Sequence, residues 1–329
     1  MVHRRDPMRS RRAQILVLLA ALGLSACAVD TGDADGAYGA DDVVHDDVAA
    51  ADEELASGKC AGTTATRTAR IKVLTMNLRH DEDQWERRFA LIADEIVRLD
   101  PDVLGLQEVE ISDDQAGRLN ELVAKRGHAR YHVYAKRKSG FLGWFTGEGI
   151  AIFSRWPIVE TQHEDIGEKR VSQFARVEHP SGKFIDFVNT HLDHAGGAEG
   201  AANRLDQAEQ TIGLANRTND CWPTFLTGDM NAPPSSPAMK EFVSAGFVDS
   251  YLKVHGADTA RTGNTAMIRL AEGAFAQSPD RRIDFVMARR AGERTATPVA
   301  SVVGFKNHDA KGFYPSDHLG VMTTYDVRL

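Results

Sequence analysis

The 329-residue sequence is poor in cysteine and in net positive charge, and it has no long apolar run and no internal repeat. Three cysteines exclude a small disulfide-built scaffold and a cysteine-rich zinc fold. A formal charge of −8 provides no global basic field to argue for a nucleic-acid partner, and it does not argue strongly against one. The longest apolar run, Ile15 to Leu24, falls short of the roughly 20 residues a bilayer-spanning helix needs. No period of solenoid length recurs. A Gly-rich dinucleotide loop, a P-loop, a G-x-S-x-G nucleophile elbow and a cysteine cluster of zinc type are all missing. What is present is an ordinary globular composition, 42% hydrophobic and 26% charged. That excludes a collagenous, coiled-coil or wholly disordered chain and leaves room for one large domain or two small ones.

The charge is uneven. Residues 1–12 carry five arginines and one acid, and residues 13–58 carry ten acids and no Lys or Arg. The +4 and −10 of these two stretches leave −2 for the rest of the −8, so the acidity belongs to a tail. The basic start followed by Ile15–Leu24 has the layout of a secretory signal. Leu24-Ser25-Ala26-Cys27 resembles a bacterial lipobox, which predicts a signal peptide over 1–26 and a lipidated Cys27. An ordinary signal peptide with an incidental cysteine is the alternative, and Ser10-Arg11-Arg12 faintly resembles a twin-arginine signal. By resemblance to lipoprotein sorting, Ala28 favours the outer membrane. Residues 27–58 then read as an acidic solvated tether. The expected location is lipid-anchored in a bacterial cell envelope, at the outer membrane or periplasmic face, with the folded domain over 59–329. With Cys27 lipidated, Cys60 and Cys221 remain for a disulfide or for two separate buried thiols.

Strands are predicted at Arg70–Leu78, Val103–Gln107, Tyr131–Ala135, Gly149–Ser154, Phe174–Glu178, Phe184–Leu192, Pro223–Thr227, Arg282–Ala288 and His318–Tyr325. Trp85, Phe89, Ile92 and Ile96 recur at helical spacing until Asp100-Pro101 stops them. Further helices are expected over 114–125, Asn203–Asn216 and Ala238–Ser244. Several strands follow one another directly. That fits an α/β sandwich with mixed sheets better than a doubly wound parallel fold.

Polar residues gather at the ends of these strands: Asn77, Gln107-Glu108, Asn189-Thr190-His191, Gly228-Asp229-Met230-Asn231 and Ser316-Asp317-His318. Asp284 sits inside the apolar run Ile283–Val286. Singly, each reads as a turn residue or a satisfied buried polar group. Together they point to one site, because strand ends gather on one face of a sheet. Glu108 and Asp317 are hard oxygen ligands suited to Mg²⁺. Asp229 and Asn231 stand two apart, so one can polarise a water while the other meets that water or a phosphate. His318, held by an acid, can stabilise growing charge on a phosphate. These residue types favour metal-assisted attack of water on a phosphoester.

The ordered set TMNLR (75–79), PDVLGLQEVE (101–110), GEGIAIFSRWPI (147–158), NTHLDH (189–194), LTGDMNAPPSS (226–236), RRIDFVM (281–287) and YPSDH (314–318) resembles the endonuclease/exonuclease/phosphatase family, also called DNase I-like, from about Ile71 to Leu329. The resemblance implies a four-layer α/β sandwich of two packed mixed β-sheets flanked by helices, and divalent-metal-dependent hydrolysis of a phosphoester. It implies Mg²⁺, with Mn²⁺ as a substitute, held by Glu108 with Asn77 alongside and Asp317 assisting. It also implies that Asp229 orients or deprotonates the attacking water and that Asn231 contacts the scissile phosphate. His318 would bind phosphate, oriented by Asp284, and His191 would contact phosphate or assist the leaving group. A plain buried ion pair is the alternative for Asp284. Ser154-Arg155 and the glycines of 147–150 read as structural, Arg204 and Gln207 as a packing contact, and Asp193 and His194 as loop polars.

The substrate stays open between extracellular nucleic acid, slightly favoured, a phospholipid head group as in a sphingomyelinase or phospholipase C, and a small phosphate ester. The basic and aromatic stretch Lys136–Phe145 suits stacking on bases or a membrane interface without separating them, and a loop that folds its aromatics back on the core is the alternative. A monomer is expected, with a membrane contact through the lipid anchor and no protein partner. The reading of another class is a non-catalytic lipoprotein that holds a phosphorylated ligand.

Overall fold

The computed structural model describes residues 64–329 except 139–146, 218–220, 257–261, 268, 272–273 and 276–278. All of these belong to the unit Asp42–Leu329. The leader, the tether, Cys27, Cys60 and the end of the 136–145 stretch lie outside the described residues. Among the described residues no helix is long and apolar enough to cross a membrane.

Two six-stranded mixed sheets make the frame. In the first, β1 (Thr68–Asn77) and β2 (Val103–Glu110) run parallel at the centre. They are flanked by β14 (Val321–Arg328) and β13 (Ala296–Val303) on one side and by β4 (Glu148–Ser154) and β3 (His132–Arg137) on the other. In the second, β7 (Lys183–His191) and β8 (Thr224–Asp229) are the parallel pair. β6 (Val171–His179) and β5 (Ile158–Asp165) lie on one side of it, and β12 (Asp284–Arg289) and β9 (Val248–Asp249) on the other. β10 (Arg269–Ala271) and β11 (Ala274–Phe275) form a separate ribbon.

Because successive strand residues face opposite ways, each central strand feeds two cores. Ile71, Val73, Val103, Phe187, Phe225 and Val286 meet between the sheets. Leu74, Met76, Leu104 and Leu106 face outward against α1 (Trp85–Leu99) and α2 (Gln115–Lys125). Val188, Leu226, Phe285 and Met287 share the other outer core with α4 (Pro237–Ser244), and α3 (Gly197–Arg217) also packs there through Ala208 and Leu214. Burial of each large apolar side chain contributes roughly 1.5–3 kcal/mol. The stripe Trp85, Phe89, Ile92 and Ile96 is buried as its spacing predicts. α1 stops where Asp100 turns left-handed and its N–H bonds Ile96 O, with Pro101 unable to continue the helix.

The strands absent from the sequence reading are β5, β13 and β9, on the edges of the two large sheets, and β10 and β11 of the small ribbon. An edge strand wets one side and tolerates charge and proline. β5 reads IVETQHED, and β13 carries Pro298 at a register shift. α3 begins at Gly197 rather than Asn203, because its first turns are small residues without an apolar period. β14 begins at Val321 rather than His318. The segment Tyr314–His318 is therefore a loop, which frees it to contribute to a site. Cys221 is disulfide-bonded.

Candidate active site

The registers bring the polar strand ends together. Along β1 the inward positions run Val73, Thr75, Asn77. Along β7 they run Phe187, Asn189, His191, and along β8 Phe225, Thr227, Asp229. Asn77 stands opposite Gln107, His191 opposite Asp229, and Asp229 opposite Asp284. The period of two that fills the inner core with Val and Phe thus closes one end of the sandwich with amides, acids and a histidine.

Beneath this end lies a buried polar layer. Asn189 Oδ1 accepts from Gln107 Nε2 at 2.7 Å and from Thr227 Oγ1 at 3.2 Å. Asn189 Nδ2 donates to the carbonyls of Leu106 and Ala151, each at 3.1 Å. The two sheets approach closely at Gly105, where a Cβ would lie 2.0 Å from Thr227 Oγ1 and 2.5 Å from Asn189 Oδ1.

Glu108 is aimed by a β-bulge. Leu106 pairs with Ala151 and Val109 with Gly149, so Gln107 and Glu108 together oppose Ile150. Glu108 takes a left-handed φ of 50°, a conformation non-glycine residues hold only when their surroundings enforce it. Asn77 Nδ2 donates to both Glu108 Oε1 and Asp229 Oδ2 at 3.0 Å. The Arg79 amide donates to Asn77 Oδ1 at 2.9 Å and so fixes which end of that amide faces the acids. Asn231, also left-handed at φ 46°, donates its backbone N–H to Asp229 Oδ1 at 3.0 Å.

Two histidines flank Asp229, and their surroundings differ in sign. His318 Nδ1 lies 2.9 Å from Asp284 Oδ2, and its Nε2 lies 3.7 Å from Asp229 Oδ2. Burial works against its charged form, but Asp284 and then Asp229 outweigh it and hold His318 well above the usual histidine range. His191 is driven well below that range by burial, then by Arg170 and Lys138. Burial pushes the Asp229 carboxyl up to about 7 against the pull of His318, with Asp284 adding to the rise. Asp317 is ion-paired to Arg79. Burial would raise its pKa, but His318 and Arg79 outweigh that and lower it.

Asn77, Glu108, His191, Asp229, Asn231, Asp284 and His318 therefore meet at one end of the sandwich, with Asp317 beside them on Arg79. Ligand atoms of Glu108, His191 and Asp229 lie within 4.8 Å of one another, as do those of Asp229, Asp284 and His318. In the second set Asp284 and Asp229 favour the protonated form of His318, the form that does not ligate metal. The first set offers two carboxylates that share one amide donor, and this hard oxygen set fits a divalent cation.

Other predicted residues have structural roles. Arg204 Nη1 donates to the carbonyls of Asp193 and Ala195, and Gln207 Oε1 accepts from the Asp193 amide, so the pair shapes the loop after His191. Arg155 binds Asp100 at the far end of the strands. Sequence reasoning missed Arg88, Arg79 and Arg170. Arg88 is fully buried on α1 and donates to the carbonyls of Leu78, Arg79, His80, Glu82 and Pro315. It ties the loop after β1 to the loop before β14. Its one signal was a charged residue beside the apolar stripe of α1, which by itself reads as a solvated face.

The comparisons with known proteins agree with this geometry. The model of the Endonuclease/Exonuclease/phosphatase family matches residues 74–318. The inositol phosphosphingolipids phospholipase C of Schizosaccharomyces pombe is 28% identical over 209 residues, covering 56% of this chain and 47% of that protein. The chain thus spans about half the length of that curated relative. The mannosyl-6-phosphatase of Bacteroides thetaiotaomicron shares the fold with a TM-score of 0.61 at 22% identity, over 77% of this chain and 98% of that one. TDP2 of D. rerio, complexed with a single-strand DNA product, shares it with a TM-score of 0.60 at 17% identity, over 78% and 99%. Members of the matched family are phosphoester hydrolases and generally depend on a divalent metal. With the match running from within β1 to His318, the chain belongs to the endonuclease/exonuclease/phosphatase family.

Proposed function

We propose that the protein is a divalent-metal-dependent phosphodiesterase that hydrolyses a phospholipid-type head-group ester at the cell envelope. The observation that carries the hydrolase reading is the convergence on Asp229 Oδ2. Asn77 Nδ2 lies 3.0 Å from it, His191 Nε2 3.5 Å and His318 Nε2 3.7 Å. Asp229, with its pKa raised to about 7 by burial, is suited to take the proton of an attacking water near neutral pH. His318, cationic against Asp284, faces the charge that grows on the phosphate. Asn231, left-handed beside Asp229, orients the water or a phosphate oxygen, and His191 meets the phosphate or the leaving group. Glu108 would hold the cation, with Asn77 orienting its carboxylate through the Nδ2 donor rather than ligating as the sequence suggested; the cation would supply polarisation of the phosphate and neutralisation of its charge. Asp317 supports that corner through Arg79.

The lipid choice is favoured by the relatedness to a phosphosphingolipid phospholipase C together with the expected lipid anchor at Cys27, which would hold the site at a membrane surface. This departs from the slight preference for nucleic acid read from the sequence. The test is hydrolysis by the purified protein with Mg²⁺ and then with EDTA. The substrates, side by side, are bis-p-nitrophenyl phosphate, sphingomyelin and inositol phosphosphingolipid vesicles, and plasmid DNA. Metal-dependent release of a phosphorylated head group is expected, and the Asp229→Ala protein folds without turning over. Preferred cleavage of DNA would overturn the lipid assignment. No turnover on any of these from a folded protein would overturn the phosphodiesterase reading in favour of a phosphomonoesterase or a binding protein.

A further inference from the structure

His318 has a carboxylate behind it, whereas His191 has a guanidinium, and nothing in the reaction outlined above accounts for that. Arg170, the residue before β6, is buried. Its Nη1 lies 2.9 Å from His191 Nδ1, and its Nη2 lies 2.9 Å from His194 Nδ1. A guanidinium has five donors, no acceptor and no neutral form in a protein. Each of these Nδ1 atoms must therefore present a lone pair. A neutral imidazole keeps one proton, so that of His191 is on Nε2, the atom facing Asp229 Oδ2 at 3.5 Å and Glu108 Oε1 at 4.0 Å. Asn231 Nδ2 also approaches Nε2, at 3.2 Å. That amide nitrogen donates one of its two hydrogens to Leu192 O at 3.1 Å, and the second competes for Nε2 as a neutral donor. One imidazole cannot accept at both nitrogens, and the charged donor decides the orientation.

We infer that Arg170 is a positioning residue for the hydrolysis: by occupying Nδ1 of His191 it fixes that ring as an uncharged hydrogen-bond donor through Nε2, which removes His191 from the metal ligands and assigns it to a substrate oxygen. The role in hydrolysis rests on the phosphodiesterase reading, whereas the ring state does not. Metal ligation needs the Nε2 lone pair that this tautomer lacks. Among the protein groups gathered there, the cation is then left to the carboxylate oxygens, since Asn77 turns its Nδ2 toward them. The site thereby acquires two imidazoles in different states from opposite neighbours: His318 donates as a cation and His191 donates without charge.

The test begins with the metal-free full chain, labelled with ¹⁵N-histidine and read by long-range ¹H–¹⁵N correlation at pH 7. The expected His191 pattern is a protonated Nε2 and an unprotonated Nδ1. His194→Ala, which alters an exposed ring, leaves that pattern unchanged, and Arg170→Met abolishes the single tautomer. With Mg²⁺ and bis-p-nitrophenyl phosphate, Arg170→Met lowers kcat by roughly 10²-fold while KM moves by less than about threefold. Arg170→Lys, which keeps the charge but not the fork, recovers only part of the loss. A wild-type His191 protonated at Nδ1, or at both nitrogens, overturns the inference whatever the activity. An unchanged kcat in Arg170→Met overturns the positioning role. A wild type that shows the expected tautomer but hydrolyses nothing supports the fixed ring and counts against the phosphodiesterase reading instead. If Arg170→Met fails to fold, the wild-type spectrum and Arg170→Lys still decide the matter.

Discussion

Replacing Asn189 with alanine should destabilise the protein and weaken its metal site, although this side chain touches no substrate and no metal-ligating atom. Asn189 is fully buried and makes four hydrogen bonds. Two of its partners keep a second contact after the change. Gln107 Nε2 still reaches Thr75 Oγ1 at 3.2 Å, and Thr227 Oγ1 still reaches Val188 O at 3.3 Å. The carbonyls of Leu106 and Ala151 lose the amide altogether. At about 1–2 kcal/mol for each stranded carbonyl and about 0.5–1 for each lost donor contact, the sum is roughly 3–6 kcal/mol. That is a large part of the ~5–15 kcal/mol that holds an ordinary domain. In a chain of this size it lowers Tm by roughly 10 °C. The same two carbonyls flank the bulge that turns Glu108 into the site, so Mg²⁺ affinity should also fall, by about tenfold. Asn189→Asp, which sets oxygen against both carbonyls, should be worse. The assays are urea unfolding followed by circular dichroism and calorimetric titration with Mg²⁺. A loss below about 1 kcal/mol with unchanged metal affinity would refute the reasoning.

Three further outcomes follow from the same geometry. In the metal-free protein the Asp229 contribution to stability should be lost as pH rises from about 4 to about 7, opposite in sign to the contribution of His191, whose pKa is lowered. Asp229, raised to about 7 in the fold, holds its proton there after the unfolded chain has released it; His318, raised as well, acts in the same direction at higher pH. The difference in urea midpoint between the wild type and Asp229→Asn in EDTA should shift with pH in that sense, and added Mg²⁺ should reduce the shift. Gly105→Ala should cost about 1–3 kcal/mol or more, because its Cβ would meet Thr227 Oγ1 at 2.0 Å; an unchanged denaturation midpoint would contradict the close approach of the sheets. Arg88→Ala should cost about 3–5 kcal/mol and loosen the loops carrying Arg79 and His318. Amide exchange at residues 78–82 and 315–318 should quicken in that variant, and Arg88→Lys should recover little, since an ammonium reaches few of the five carbonyls.

Local pattern was enough to read the central strands, the stripe of α1 and the ordered polar strand ends, because burial on both sides of a sheet leaves a strong apolar signal and side chains alternate with a period of two. Edge strands such as β5 and β13 escaped, since one wetted side permits Glu, His and Pro where a buried strand would not. The acids and histidines of the site were legible by type and order, and that order carried the family. Their states were not. Whether Asp229 holds its proton near neutral pH, and why His191 and His318 differ, depends on burial and on which charge stands behind each ring. Arg170 reaches His191 across 21 residues, and Arg79 reaches Asp317 across 238. Sequence alone determined which chemistry is present, because residue type and strand period are local properties. Only the tertiary structure decided which atoms meet, how the bulge aims Glu108 and which imidazole is charged, because desolvation and Coulomb interaction act through space between residues far apart in the chain.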